Sequence, residues 1–167
     1  SYIDLVGFAP NEASGGTVEV REALGERMER SGGDVAPYVR SLATIDARYI
    51  DAVAKSRRFG RLHIGRYVDV MDYDNAVQFA AVEVMLPPNS VEGCGKGVRF
   101  VSFRGTDLTI AGWREDFMLS FEVTGAQKLA AEYLDRALRA AVAAGEPLMA
   151  GGHSKGGNLA SFAVASA

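Results

Sequence analysis

The chain has 167 residues, of which 48% are hydrophobic and 23% charged, and its formal net charge is -3. Such a composition predicts one globular domain over residues 1–167 with a single core. The weak negative charge argues against nucleic-acid binding, and no apolar run is long enough to cross a bilayer. One cysteine and two histidines give neither an internal disulfide nor a metal-ligand cluster, so we expect no metal and no cofactor. The first residues lack a secretory pattern, which favours the cytoplasm.

Residues 1–60 predict a helical segment. Thr17 is a suitable N-cap for a helix that ends near Arg30, although Gly25 weakens its interior. Beyond Pro37 the apolar residues recur at helical spacing, and this stripe, which includes Tyr49, is expected to be part of the core. Helices are therefore expected to precede the first strand of the sheet.

Residues 61–167 predict the sheet. After Gly60 the hydrophobic period changes to two, and two strands at Tyr67–Met71 and Val77–Leu86 form a hairpin through the turn-forming residues between them. The stretch Val98–Phe103 is apolar nearly throughout, which is typical of a strand at the centre of a sheet.

A β-α-β unit follows the hairpin. Gly125–Ala144 has one apolar face and charged pairs at a spacing of four residues, so it predicts a long helix. The apolar run Leu148–Ala150 comes next as a strand. A helical crossover of this length makes the strands Val98–Phe103 and Leu148–Ala150 parallel. Because such a sheet would continue beyond the next helix, we expect the chain to be the N-terminal part of a longer protein.

The segment from Gly152 to Gly156 fits the pattern G-x-S-x-G, with Ser154 at its centre. An apolar strand enters it and a small-residue helical run leaves it, which is the order of a nucleophile elbow. At such a sharp corner the serine lies close to neighbouring chain, and only glycine fits two residues before and two residues after it. The hydroxyl then points outward, while the following helix directs its positive end toward a developing oxyanion. The alternative is a glycine-rich turn that holds an anion or has no site.

Acyl transfer by a serine needs a nucleophile, a base and two donors for the oxyanion. Ser154 is the candidate nucleophile. The candidate donors are the backbone N–H groups of Lys155, the next residue, and of Thr106, in the loop after the strand Val98–Phe103. A simple turn is the other interpretation of Thr106.

Three motifs resemble those of a known family. They are Phe103-Arg104-Gly105-Thr106, Gly112-Trp113-x-x-Asp116 and Gly152-His153-Ser154-x-Gly156-Gly157. They are similar to motifs of the class 3 lipases. Extended to Phe-Arg-Gly-Thr-Asp, Gly-Trp-x-Glu-Asp-Phe and Gly-Gly-His-Ser-Lys-Gly-Gly-Asn-Leu-Ala, they resemble the Mbeg1-like family, a lipase-like α/β-hydrolase group, over about residues 67–165. The resemblance implies Ser154 as nucleophile, Thr106 and Lys155 as oxyanion donors, and an ion pair between Asp116 and Arg104. It also implies an α/β fold: a partial α/β-hydrolase-like sheet, mostly parallel with an antiparallel hairpin, preceded by N-terminal helices.

Two features depart from a complete lipase site. Lys155 places a cation after the serine, which would favour an anionic substrate head group. The base is missing, because His153 is expected to pack beneath the turn and His63 comes too early in the chain order. We therefore expect the triad acid and histidine beyond residue 167, and little turnover by these residues alone. The predicted function is hydrolysis of a small or lipid carboxylic ester through an acyl-enzyme; the alternatives are a hydrolase-like binding domain without activity, and thioesterase or peptidase chemistry.

Overall fold

The computed structural model describes residues 4, 6–39, 46–75, 77–105 and 123–167. These ranges contain five strands and four α-helices, with a short 3-10 turn at Ala36–Tyr38. In chain order the elements are β1 (Val18–Glu19), α1 (Val20–Arg30), α2 (Ala47–Lys55), β2 (His63–Asp72), β3 (Val77–Leu86), β4 (Val98–Phe103), α3 (Gly125–Ala144), β5 (Leu148–Gly152) and α4 (Lys155–Ser166).

The five strands form one sheet in the order β1-β2-β3-β4-β5. Its first three pairings are antiparallel, and only β4 and β5 are parallel. The predicted α/β-hydrolase-like sheet, mostly parallel with one hairpin, is therefore wrong. Short connections lead from β2 to β3 and from β3 to β4, and a short connection returns the chain in the opposite direction. β5 is reached from β4 through the helix α3 and lies parallel to it, whereas β2 is reached from β1 through α1 and α2 and lies antiparallel to it.

The hairpin of β2 and β3 confirms the strands predicted there, and β2 begins four residues earlier than the pattern indicated. The carboxylate of Asp72 accepts hydrogen bonds from the backbone N–H groups of Asp74 and Asn75, at 3.1 and 3.0 Å. This side-chain-to-backbone pattern is the reason that aspartate and asparagine favour turns. The start of the first helix was predicted less well. The helix expected from Thr17 begins only at Val20, and the two residues before it form the short strand β1, which pairs with β2.

The sheet has a core on each face. Along β3, Phe79 and Ala81 pack with α3 and α4, whereas Ala80 and Val82 pack with α1 and α2. Successive side chains of a strand point to opposite faces, so this alternation places the two pairs of helices on opposite sides. The rings of Phe79, Phe103 and Tyr133 meet with centroids 6.0 to 6.2 Å apart, and each such pair adds about 0.5–1.5 kcal/mol beyond its buried area.

The long helix α3 has the bounds that its sequence predicted. It begins with a capping box, in which the Thr124 side chain accepts from the Gln127 backbone and the Gln127 side chain accepts from the Thr124 backbone. It ends at Gly145, whose φ of 65° is the left-handed conformation that glycine adopts without strain. Neither α3 nor any other helix in the described ranges has the length and apolarity needed to span a membrane.

Replacing Gly25 by alanine is expected to raise the free energy of unfolding by about 0.5–1 kcal/mol. Gly25 lies inside α1, and a Cβ built on it would have no atom within 4 Å. The gain comes from the reduced freedom of the unfolded chain, and urea denaturation measures it. Gly32→Ala is the matched control, because Gly32 also has open space but a φ of +61° that alanine adopts only with strain. A gain at Gly32 equal to that at Gly25 would contradict this account.

Candidate active site

The turn between β5 and α4 holds Ser154 in a conformation that few residues other than glycine adopt. Its φ is 57° and its ψ is -125°. Strain of this kind amounts to about 1–3 kcal/mol and persists only where the surrounding structure imposes it, most often at functional sites. The predicted order of strand, sharp turn and helix is present, with the serine at the corner.

The glycines on either side impose the conformation of the turn. A Cβ on Gly152 would lie 2.5 Å from the carbonyl carbon of Gly156 and 2.7 Å from the carbonyl oxygen of Phe103. A Cβ on Gly156 would collide with the same oxygen of Phe103 and lie 3.1 Å from the carbonyl carbon of Arg104. The end of β5, the start of α4 and the end of β4 therefore touch through their backbones, which is the physical reason for the G-x-S-x-G spacing.

Ser154 is exposed, and so is its neighbour His153. The prediction that His153 packs beneath the turn is wrong. The turn is held instead by backbone hydrogen bonds: the N–H of Gly156 donates to the carbonyl of His153 at 3.0 Å, and the N–H of Gly157 donates to the carbonyl of Ser154 at 2.9 Å. The serine side chain thus stands at the surface on a corner that is fixed by main-chain contacts.

Lys155 is the first residue of α4, so its backbone directly follows the serine at the positive end of a helix. Its side chain is 4% exposed, and its Nζ donates to the carbonyl oxygen of Gln78 in β3 at 2.9 Å. The ammonium is therefore bonded inside the fold. An ammonium that is buried in this way does not support the hypothesis that Lys155 favours an anionic substrate head group. The backbone N–H of Lys155 is the group that would serve as an oxyanion donor.

The end of β4 lies against the serine. The last residue of β4, Phe103, pairs with Gly152, the last residue of β5. A Cβ on Gly105 would lie 2.7 Å from the carbonyl oxygen of His153 and 3.9 Å from the Cβ of Ser154. The loop that the sequence predicted for the oxyanion side thus begins beside the serine. Thr106, the candidate donor, and Asp116, the expected partner of Arg104, lie outside the described residues.

Arg104, which precedes this loop, is a buried cation with two carboxylates around it. Its Nη1 lies 2.8 Å from Oδ1 of Asp4, and its Nη2 lies 3.1 Å from Oδ1 of Asp69. Burial acts to lower the pKa of the Arg104 guanidinium, but Asp69 and Asp4 outweigh it and raise that pKa above its usual value. Burial, followed by the charge of Asp69, raises the pKa of Tyr67 to about 12. Sequence reasoning missed both aspartates; the one available signal was the acidic side chain of Asp4 within an apolar N-terminal run.

Neither histidine lies in position to act as the base for Ser154. His63 pairs with Met85, which pairs with Arg99 near the start of β4. The serine follows the opposite ends of β4 and β5, and His63 instead contacts the hydroxyl of Thr17 at 3.2 Å. His153 precedes the serine directly, and successive side chains diverge at such a corner.

Glu83 in β3 is a fully buried carboxylate, and for that reason a second candidate for chemistry. Burial raises the pKa of Glu83, although Arg66 and Arg99 act to lower it. Its Oε2 lies 3.3 Å from Nη1 of Arg99, and Nε of Arg99 lies 2.7 Å from Oε2 of Glu146. These side chains lie near the start of β4, at the end opposite to the serine. Within the described ranges no group of three or more potential metal ligands is found. Glu83 thus belongs to a partly buried ion-pair network with Arg66, Arg99 and Glu146 and is not a partner of Ser154.

Fold and site together define a mixed-sheet domain of strands and helices, in which a parallel β4-α3-β5 unit presents a strained, exposed serine ahead of a helix. A family model described as Mbeg1-like matches residues 53–167, and the chain belongs to this family. The resemblance found in the sequence is thereby confirmed at the level of the family. The match contains β2 to α4 with the whole turn around Ser154, and it begins after α1. Comparison with curated proteins and with solved structures gave no match.

Proposed function

We propose that this chain carries the nucleophile and the oxyanion side of a lipase-like serine hydrolase that acts on small or lipid carboxylic esters. The observation that supports the proposal is the backbone of Ser154, at φ 57° and ψ -125°, with its side chain exposed. A strained serine between a strand and a helix is the arrangement that serine hydrolases use to expose a nucleophile. A turn that served only to connect β5 and α4 would relieve the strain by placing glycine at this position.

In the proposed reaction the Ser154 Oγ attacks the carbonyl carbon of the ester. A new C–O bond forms, the hydroxyl proton passes to a base, and the carbonyl oxygen becomes an oxyanion. The backbone N–H groups of Lys155 and Thr106 are the proposed donors to that oxyanion. The C–O bond to the alcohol then breaks, and the alcohol leaves with the proton from the base. Water next attacks the acyl-serine and releases the carboxylic acid.

The proposal requires a base that the described residues do not bring to Ser154, since His63 lies at the other end of the sheet and His153 diverges from the serine. A site with its oxyanion donors but without its base retains about 10³–10⁴-fold acceleration over water, far below that of a complete triad. Tests of catalysis therefore belong to the complete natural chain.

Fluorophosphonate labelling of that complete chain is expected to modify Ser154 in a ratio of one probe per protein. The reagent phosphonylates a serine whose proton is removed by a base, so labelling reports the activated nucleophile and not merely an exposed hydroxyl. Ser154→Ala is expected to abolish labelling. Ser161→Ala is the matched control. Ser161 is an exposed serine inside α4, the helix that follows Ser154. Intact-protein mass spectrometry measures the modification.

The outcome separates the possible functions. Labelling that persists in Ser154→Ala would assign the nucleophile elsewhere and contradict the proposal. Absence of labelling in a folded, complete chain would favour a hydrolase-like binding domain without activity. Labelling at Ser154 followed by turnover of thioesters or peptides, and not of esters, would keep the nucleophile and change the substrate class.

A further inference from the structure

Asp4, near the start of the chain, is bonded to the residue that leads into the loop beside Ser154. Its Oδ1 accepts a hydrogen bond from Nη1 of Arg104 at 2.8 Å, across 100 positions of sequence. The two side chains are 2% and 1% exposed, respectively. Asp4 lies outside the part of the chain that the family model matches, which begins at residue 53. An interaction so deeply buried is not the screened surface ion pair that contributes little.

The backbone of Arg104 is held at the meeting point of three elements. Its N–H donates to the carbonyl of Ala80 in β3 at 2.9 Å. A Cβ on Gly156 would lie 3.1 Å from its carbonyl carbon and from its carbonyl oxygen, so the start of α4 packs directly upon it. A Cβ on the next residue, Gly105, would lie 2.7 Å from the carbonyl oxygen of His153, so the backbone of Gly105 passes close to the turn. Any displacement of Arg104 is therefore transmitted at once to Gly105 and to the turn that holds Ser154.

Asp4 and Asp69 together compensate the charge of the buried guanidinium, and Asp4 also accepts a hydrogen bond from it. Among the described residues, Nε and Nη2 of Arg104 have no hydrogen-bond partner. Asp69 does approach Nη2 to 3.1 Å, which gives a charge contact without hydrogen-bond alignment, and the Asp69 side chain is 21% exposed. Asp4 thus makes the aligned hydrogen bond from the more buried position. Removal of the Asp4 charge would leave the guanidinium only partly compensated, by the more exposed Asp69, so we expect it to shift or to admit water.

We infer that Asp4 is a positioning residue, which acts through Arg104 to hold Gly105, and with it the start of the oxyanion loop, against Ser154. Asp4 thereby makes the N-terminal segment part of the site, and it acts on the reaction only through Arg104. The effect on rate rests on the proposed function, whereas the effect on position rests on the contacts alone. The two are measured separately.

The test compares Asp4→Asn with Glu12→Gln in the complete chain. Glu12 is the matched control, because it belongs to the same N-terminal segment and pairs with Arg66 and Arg136, which lie on β2 and α3. In Asp4→Asn, amide hydrogen exchange at Arg104 and Gly105 is expected to be about tenfold faster or more, while exchange in the β2–β3 hairpin stays as in the wild type. In Glu12→Gln, exchange at Arg104 and Gly105 is expected to stay unchanged.

Fluorophosphonate labelling gives the second measurement. Asp4→Asn is expected to label Ser154 about 10- to 100-fold more slowly, since a displacement of about 1 Å at a reacting centre can lower the rate 100-fold. For ester hydrolysis the loss is expected in kcat, with KM and the pH profile as in the wild type. Asp4→Glu, which keeps the carboxylate on a longer side chain, is expected to recover part of the rate. Partial unfolding would also lower the apparent kcat at unchanged KM, so rates are expressed per folded molecule, counted by far-UV circular dichroism, and the local exchange at Arg104 and Gly105 distinguishes positioning from loss of stability.

Each result decides a different point. Unchanged exchange at Arg104 and Gly105 in Asp4→Asn would overturn the inference, whatever the labelling shows. Labelling of Asp4→Asn at the wild-type rate would also overturn it and leave the proposed function intact. If the wild type is not labelled, the proposed function fails, and the exchange data alone decide whether Asp4 positions the loop. If Asp4→Asn does not fold, Asp4→Glu replaces it, and wild-type exchange together with wild-type labelling in that variant would count against the inference.

Discussion

Ser154→Gly is expected to raise the free energy of unfolding by about 1 kcal/mol while it removes all reactivity of the turn. At φ 57° and ψ -125° serine is strained, by about 1–3 kcal/mol, whereas glycine adopts this conformation freely. The gain is smaller than the strain because glycine also makes the unfolded chain more flexible, which opposes it by about 0.4–1 kcal/mol. Chemical denaturation of the wild type and the variant measures the difference.

Ser154→Ala separates the two properties that Ser154→Gly removes together. Alanine lacks the hydroxyl but keeps a Cβ in the same strained conformation, so its free energy of unfolding is expected to stay close to that of the wild type. Glycine alone relieves the strain. A stability of Ser154→Gly at or below that of Ser154→Ala would show that the turn is not strained and would remove the main support for a nucleophile at this position. If Ser154→Gly is instead more stable than both the wild type and Ser154→Ala, the chain keeps a strained residue at a position where glycine would be more stable.

Local patterns predicted the elements around the site. The strand Val98–Phe103 and the helix Gly125–Ala144 have the predicted bounds, because hydrophobic period and terminal capping act within a few neighbouring residues. The turn at Ser154 was equally readable, since its glycine spacing follows from backbone contacts that any such corner must make. The parallel pairing of β4 with β5 followed from the length of the crossover helix between them.

Contacts between distant segments were not readable in the same way. Whether the sheet is mainly parallel or antiparallel depends on which strands pair with each other. The pairing of β1 with β2 has no signal in the local sequence. Tyr49 lies on an apolar stripe but is 56% exposed, because a period indicates which face a helix shares and not how much of that face is covered. The bond from Asp4 to Arg104 spans 100 positions and follows from no spacing rule. Long-range polar pairs of this kind emerge only from the folded arrangement.

Gly156→Ala is expected to lower the free energy of unfolding by about 3 kcal/mol, the largest loss we predict for a single methyl group in this chain. The new Cβ would collide with the carbonyl oxygen of Phe103 and press on the backbone of Arg104. These atoms belong to a strand end that is fixed by its pairing with β5 and by the hydrogen bond from Arg104 to Ala80, so they cannot move aside without breaking other contacts. Helix propensity alone would favour alanine over glycine by up to about 1 kcal/mol. A loss of stability at this position would therefore be due to the collision and not to helix propensity.

The neighbouring glycine is the control for this effect. In Gly157→Ala the added Cβ would lie 3.2 Å from the carbonyl oxygen of Gly152, a contact that a small shift relieves, and the expected change is less than about 1 kcal/mol in either direction. Both substitutions add the same methyl group to the first turn of α4, so helix propensity cancels between them and the difference reports the collision. Urea denaturation gives that difference. Equal stabilities would mean that β4 and α4 do not approach as closely as the structure has them, and the glycine spacing around Ser154 would then lose its physical basis. A large difference would establish that the end of β4, the loop beginning at Gly105 and the serine are held together by main-chain contact, which is the condition that oxyanion donors on two separate segments require.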